Sequence, residues 1–247
     1  RALEKHLDAG RPVGLQTSVF WLPYFPPDLR FHFNAHNIIA YGRDAGEFLI
    51  SDPTLEMPTR IDAPSLRKAR SVKGVLAPRG LLYFPTRVPE TLEAGAAIRK
   101  SIKRTTSMML HSPLPVIGIR GIRFISRKIA RLGRNGMRDE EQNKRFIGHM
   151  VRMQEEIGTG GAGFRFLYAS FLQEAALLAD HAAYEDVSRR FTDTGDEWRR
   201  FALWSAKMVK GRMALDYDKL ATQLRHVADL EDDAHRQLRR AATAAGN

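Results

Sequence analysis

The chain has 247 residues, 43% of them hydrophobic and 9% aromatic. That is enough apolar surface to offset the entropy of ordering the chain, which excludes a wholly disordered protein and suits one large domain or two ordinary ones. It has no cysteine, so disulfides, thiolate zinc sites and a thiol nucleophile within these residues are excluded. No apolar run approaches the roughly 20 residues that cross a bilayer, and Arg1 to Gly10 alternates charge with alanine and leucine instead of building a signal peptide. A soluble, cytoplasmic protein is expected, and a start at Arg1 within a helical pattern reads as a fragment.

In chain order, Val13 to Leu22, His36 to Tyr41, Phe48 to Ser51 and Gly80 to Phe84 have the β-forming composition and turn boundaries of strands, with a short helix predicted over Leu66 to Lys73. The texture changes near Pro85 to Pro89. Beyond it, apolar residues three and four apart predict helices over Phe146 to Ile157, Phe164 to Leu178, Trp198 to Val209 and Leu215 to Leu238, with a break at His111 to Gly121. Ala241 to Asn247 has no core pattern and is expected to fray. The fold class is therefore α+β. An antiparallel sheet part over residues 1–87 is followed by a basic linker or helical segment over 88–140 and an all-helical domain over 141–247.

The net charge of +11 is local. Between Ala94 and Arg138 there are 11 Lys and Arg, Arg120, Arg123, Arg134 and Arg138 among them, and no acid, leaving 28 cations against 28 acids elsewhere. Long-range attraction for an acidic partner therefore arises in this segment. Nucleic acid is the weaker candidate, because no helix-turn-helix, zinc-finger, RNA-recognition or KH pattern accompanies the charge. Isoleucines and Phe124 interleave with the arginines, so an anionic membrane surface, an acidic carrier protein and a plain solvated face all stay open.

His36-Asn37-Ile38-Ile39-Ala40-Tyr41, a polar turn, and Glu47 to Pro53 read as a hairpin. A turn centred on Asp44 sets His36 opposite Asp52. Directly opposed residues have Cβ atoms about 4.5–5.5 Å apart, close enough for a carboxylate to hold an imidazole in one tautomer. That is the orienting half of a nucleophile, base and acid triad. A one-residue slip would send the two groups to opposite faces. Equally, His36 and Asp52 suit a strand end and a turn. His32 lies four residues before His36, but no third ligand follows at a metal-site spacing, and no metal is expected. Trp21, Tyr24 and His32 are the candidate substrate-binding residues, the two aromatics suiting a pocket wall or the core.

Further on, Gly158-Thr159-Gly160-Gly161-Ala162-Gly163 runs into a helix. Its backbone N–H groups, with Gly160, Gly161 and Arg165, suit an anion such as the phosphate of a pantetheine arm. Glycines that simply end one helix and admit the next explain it as well. Arg165 is expected to pair with Glu174 or another acid, or to reach the same anion. Phe164, Phe166, Leu167, Tyr168, Phe171, Leu172, Trp198, Phe201 and Trp204 are expected in the core.

Gly10-Arg11-Pro12-Val13, Leu22-Pro23-Tyr24, His36 to Gly42 and Ser51-Asp52-Pro53 together resemble the N-terminal domain of the butirosin biosynthesis protein H family. Glu156 to Ala175 is similar to the helical domain of unknown function, DUF4872, that follows it. The resemblance implies a papain-like fold and a Cys-His-Asp triad that moves an acyl group from an acyl carrier protein thioester to an amine. His36 would be the base and Asp52 its orienter. It implies no tightly bound cofactor, a phosphopantetheine arm as part of the substrate, a small amine acceptor, and an acidic carrier docked by the basic segment through residues such as Arg120 and Arg123. The sequence departs from the family in the nucleophile, so these residues alone are expected to be inactive. A peptidase or amidase, and a non-catalytic binding module, are the alternatives.

Overall fold

The computed structural model describes residues 2–134, 139–156 and 159–244, and the chain divides into two compact units, 1–90 and 91–247. In the first unit, helix α1 (Ala2–Asp8) precedes strands β1 (Val13–Thr17), β2 (His36–Asp44), β3 (Glu47–Ser51) and β4 (Thr59–Asp62), then helix α2 (Ala63–Ser71) and strand β5 (Leu82–Tyr83). The sheet has the order β4-β3-β2-β1-β5 with every neighbouring pair antiparallel. Alternation decides its faces. Val13, Leu15, Ile38, Ala40, Phe48, Ile50 and Ile61 join Leu3 and Leu7 of α1 and Leu66 and Ala69 of α2 in one core, while Ile39, Tyr41 and Tyr83 are exposed.

Local chemistry sets the boundaries. Asp62 ends β4 and caps α2, its carboxylate accepting the Ser65 N–H at 2.8 Å, with Pro64 in the first turn. A Cβ at Gly14 would lie 2.2 Å from the Tyr83 ring, so only glycine lets β5 carry that tyrosine beside β1. The predicted strand at Val13 to Leu22 stops at Thr17, because Val19–Trp21 forms a 3₁₀ turn. β4 was not predicted. Its four residues, Thr-Arg-Ile-Asp, bury one aliphatic side chain and make a short, charged edge strand.

The second unit consists of α3 (Ala94–His111), α4 (Gly118–Arg134), α5 (Glu140–Glu155), α6 (Arg165–Leu178), α7 (Ala183–Val209) and α8 (Tyr217–Ala244). The segment expected as a basic linker or helical segment contains two helices of this unit. Two long helices organise it. α8 buries Leu220, Ala221, Leu224, Val227, Ala228, Ala234, Leu238 and Ala242, a stripe at helical spacing. α7 begins 15 residues before the predicted Trp198, on a stripe of Tyr184, Val187 and Phe191. The expected fraying is corrected as far as Ala244, since α8 continues to that residue and Ala242 is buried; Ala245 to Asn247 lie outside the described residues. Phe164 and Leu167, expected in the core, are more than half exposed. Phe201 and Leu172 are fully buried, and Trp198, Trp204, Tyr168 and Phe171 are partly buried against the core clusters.

Candidate functional site

The hairpin builds its site by a route the sequence did not reveal. Its turn is the two-residue loop Ala45–Gly46, both with positive φ (49° and 84°), the sign a type I′ turn requires. The loop pairs Asp44 with Glu47, Arg43 with Phe48 and Gly42 with Leu49. Continued without interruption, that register would set Ile39 opposite Asp52 and turn His36 away. Instead the register shifts between Ala40 and Gly42, so that Ala40 faces Ile50 and Ile39 faces Ser51. Tyr41 is the extra residue of this β-bulge. The bulge returns His36, Ile38 and Ala40 to the face that carries Phe48, Ile50 and Asp52. His36 and Asp52 are therefore not directly opposed, as the turn centred on Asp44 predicted, but lie diagonally across the strand end.

At that position His36 Nε2 and Asp52 Oδ2 are 2.7 Å apart, with 9% of His36 and 3% of Asp52 exposed. Tyr24 donates its hydroxyl to the same Oδ2 at 2.9 Å. Thr54 holds the other oxygen, Oδ1, through its backbone N–H at 2.9 Å and its hydroxyl at 2.7 Å. Burial pushes the Asp52 carboxyl up, but the bonds from His36 and Thr54 outweigh it and bring the pKa down to about 2. The carboxylate is thus ionised at neutral pH. Burial, then the Asp52 charge, push the Tyr24 phenol far above its ordinary value, so it stays a donor. Phe25 meets the His36 ring edge-on at 6.0 Å, and Thr17 donates its hydroxyl to the His36 carbonyl at 3.1 Å. His36 Nδ1 has no protein partner among the described residues.

Tyr24, read from the sequence as a pocket residue, is therefore bonded to the pair, and Thr54 is a member that the sequence reading missed. Asp-Pro-Thr is the signal that pointed to it, since an aspartate side chain often accepts from the backbone two residues on. Trp21 is exposed, with Phe20 edge-on to it at 5.1 Å and the Lys68 ammonium 5.1 Å from its ring. His32 stacks on Phe20 at 4.2 Å, and no group of three His, Asp or Glu among the described residues is placed to hold a metal. Two clefts of this unit, one between α1, α2 and Phe48 and one at Glu4, Arg43 and Gly46, are lined by neither His36 nor Asp52.

The remaining predicted groups lie in the second unit, and those among the described residues have protein partners. Residues 160–164 all have positive φ. The Gly161 N–H donates to the Thr159 hydroxyl at 3.2 Å and the Ala162 N–H to Glu155 Oε1 at 3.1 Å, so a side-chain carboxylate already lies against the turn. Gly160 packs against Leu167; Gly158 lies outside the described residues. Arg165 pairs with Glu231, not Glu174: its Nε donates to Oε1 at 2.5 Å and its Nη1 to the Gly163 carbonyl at 2.5 Å. Arg123 pairs with Asp229 at 2.8 Å, and Arg120 reaches the Ser112 carbonyl at 3.4 Å. Arg138 lies outside the described residues. No described helix is long and apolar enough to cross a membrane.

Residues 64–238 match the family model described as Domain of unknown function (DUF4872). The chain belongs to the DUF4872 family. Residues 1–53 match a second model, Butirosin biosynthesis protein H, N-terminal, a span that holds both His36 and Asp52. The DUF4872 match begins within α2, inside the sheet unit, and runs through the helices to Leu238. The chain thus carries the two-family arrangement that its motifs indicated. No curated protein matches it.

Proposed function

We propose that this DUF4872 protein supplies the base and its orienter for a papain-like acyl transfer, from an acyl carrier protein's phosphopantetheine thioester to a small amine. One observation carries this reading: Asp52 holds His36 by one ring nitrogen, while the other has no protein partner among the described residues. That is the division of labour a thiol-activating histidine needs.

The chemistry follows from the two nitrogens. Nδ1 takes the proton of a thiol as the thiolate attacks the thioester carbonyl, and Asp52 stabilises the resulting imidazolium through Nε2–H. The proton then leaves on the carrier's departing sulfur, and the acyl group stays on the attacking sulfur. The amine attacks that acyl group, its proton passes to Nδ1 and on to the sulfur, and the amide departs. These 247 residues contain no cysteine, so in this proposal the attacking sulfur comes from outside them. The exposed cations of α3 and α4 suit an acidic carrier.

The test uses the complete gene product with an acyl-carrier thioester and an amine. Amide formation is expected, with a loss of 10²-fold or more in His36→Ala, as removal of a general base gives. Unchanged turnover in that variant removes the proposal, and the 247 residues alone are expected to form no amide. A non-catalytic binding module is the second reading, favoured by the absence of cysteine and the deep burial of the pair. It predicts that thioester or amine binds and neither is consumed.

A further inference from the structure

The end of α8 and the end of α3 flank a shallow, open concavity of about 540 Å³ lined by Arg236, Arg239, Arg240, His111, Leu110, Thr243 and Ala244. Sequence explains why it is so basic. Residues 234–247 contain no Asp or Glu, and α3 lies wholly within the acid-free stretch, so no acidic side chain lines the concavity. Arg236 is paired with Asp232 one turn earlier, whereas Arg239 and Arg240 have no ion-pair partner among the described residues. Cations near a helix C-terminus are stabilised by the helix dipole. The dipole, however, asks only for charge, and requires neither a concave shape nor a second helix closing it.

We propose that this concavity binds a small phosphorylated anion. Its size is that of a small-molecule site. A guanidinium presents paired N–H donors that fit two phosphate oxygens, and Arg239 and Arg240 have those donors uncommitted. Arg236, held by Asp232, adds charge, and the Thr243 hydroxyl and His111 ring add polar groups. Leu110 and Ala244 give an apolar surface for the organic body of the ligand. The site is independent of the His36–Asp52 reading.

Titration calorimetry of the whole chain with inorganic pyrophosphate at low ionic strength tests it. Saturable binding is expected, weakened at least tenfold in Arg239→Ala/Arg240→Ala and unchanged in Arg127→Ala, an exposed cation of α4 outside the concavity. Arg239→Lys/Arg240→Lys keeps the charge but not the paired donors, and should recover only part of the loss. Four results would overturn the proposal: no saturable binding at millimolar pyrophosphate, equal weakening in Arg127→Ala, full recovery with lysine, or polyglutamate binding as tightly as pyrophosphate. Circular dichroism confirms that the variants, all at exposed positions, stay folded.

Discussion

Each unit of this protein buries a carboxylate and gives it a nitrogen partner, and the two differ in what is left over. In the helical unit, Glu231 Oε1 accepts from both Arg165 Nε and Trp198 Nε1, at 2.5 and 2.8 Å. The guanidinium lies 5.4 Å from the Trp198 ring, and His235 Nδ1 bonds to the Glu231 carbonyl at 2.8 Å. Burial lowers the His235 pKa, so that ring stays neutral. These partners draw α6, α7 and α8 together, and the donors that meet Glu231 are all committed to the fold. The other Glu231 oxygen, Oε2, is buried with no hydrogen-bond partner among the described residues. In the sheet unit both Asp52 oxygens have donors, and what is left over is a nitrogen of the histidine that it holds. A buried charge is costly unless paired. The comparison teaches that neither pairing nor one open valence marks a reactive site: the spare Glu231 oxygen is sealed at 0% exposure, whereas the spare His36 nitrogen belongs to a proton-accepting ring at a strand end.

The helical pair gives the largest expected effect. Glu231→Ala leaves the partly buried Arg165 guanidinium and the Trp198 N–H without their acceptor. Breaking a buried pair from one side costs about 3–5 kcal/mol. Urea unfolding of the second unit, followed by tryptophan fluorescence, reads that loss directly. Glu231→Gln keeps one acceptor and should cost less. A loss below about 1 kcal/mol in the alanine variant would show that the cluster does not hold the helices.

The sheet pair gives an intermediate effect with a pH signature. The Asp52 pKa lies at about 2 against an ordinary 3.8. A depressed carboxyl pKa means that ionised Asp52 stabilises the fold. That contribution, about 2 kcal/mol, is complete above about pH 4 and lost as the pH falls towards 2. Wild type should therefore exceed Asp52→Asn in urea stability by about that amount at pH 6, with the gap narrowing between pH 4 and 2. A gap that is constant across this window would mean that the carboxylate's charge contributes nothing.

The same contrast explains what could be read from the sequence. Periodicity exposed the two-part architecture, because the long stripes of α8 and the alternation of β2 repeat a pattern many times. It failed where one residue decides the outcome. Nothing about Ala45 announces a positive φ, and neither Tyr41 nor Gly42 announces a bulge, so the contact of His36 with Asp52 was expected from a register that does not exist. It arises because the expected and observed registers share a parity. Arg165 could be flagged as needing an acid, but Glu231 lies 66 positions away and only the packing of α6 and α8 on α7 identifies it. Tyr24 and Thr54 follow the same division: the partner two residues off was missed although Asp-Pro-Thr carries its signal, and Tyr24, expected only as a pocket residue, bonds Asp52 from 28 residues away with no local signal at all.

The bulge permits the subtlest test, which sets two single-residue deletions against each other. Tyr41 is exposed and has no opposite number on β3. Removing it leaves the pairs Ala40 with Ile50 and Gly42 with Leu49 as neighbours in an unbroken ladder, with His36, Ile38 and Ala40 still facing the core. The expected cost is below about 1 kcal/mol, the range of small surface changes, and the acid-sensitive stability of Asp52 should persist. Removing Ser51 moves Asp52 one place back along β3, to the exposed face, because side chains alternate with a period of two. That deletion should abolish the stability change between pH 4 and 2. If deleting Tyr41 erased it as well, the bulge would be more than a corrector of parity, and the account of how this hairpin brings His36 to Asp52 would fail.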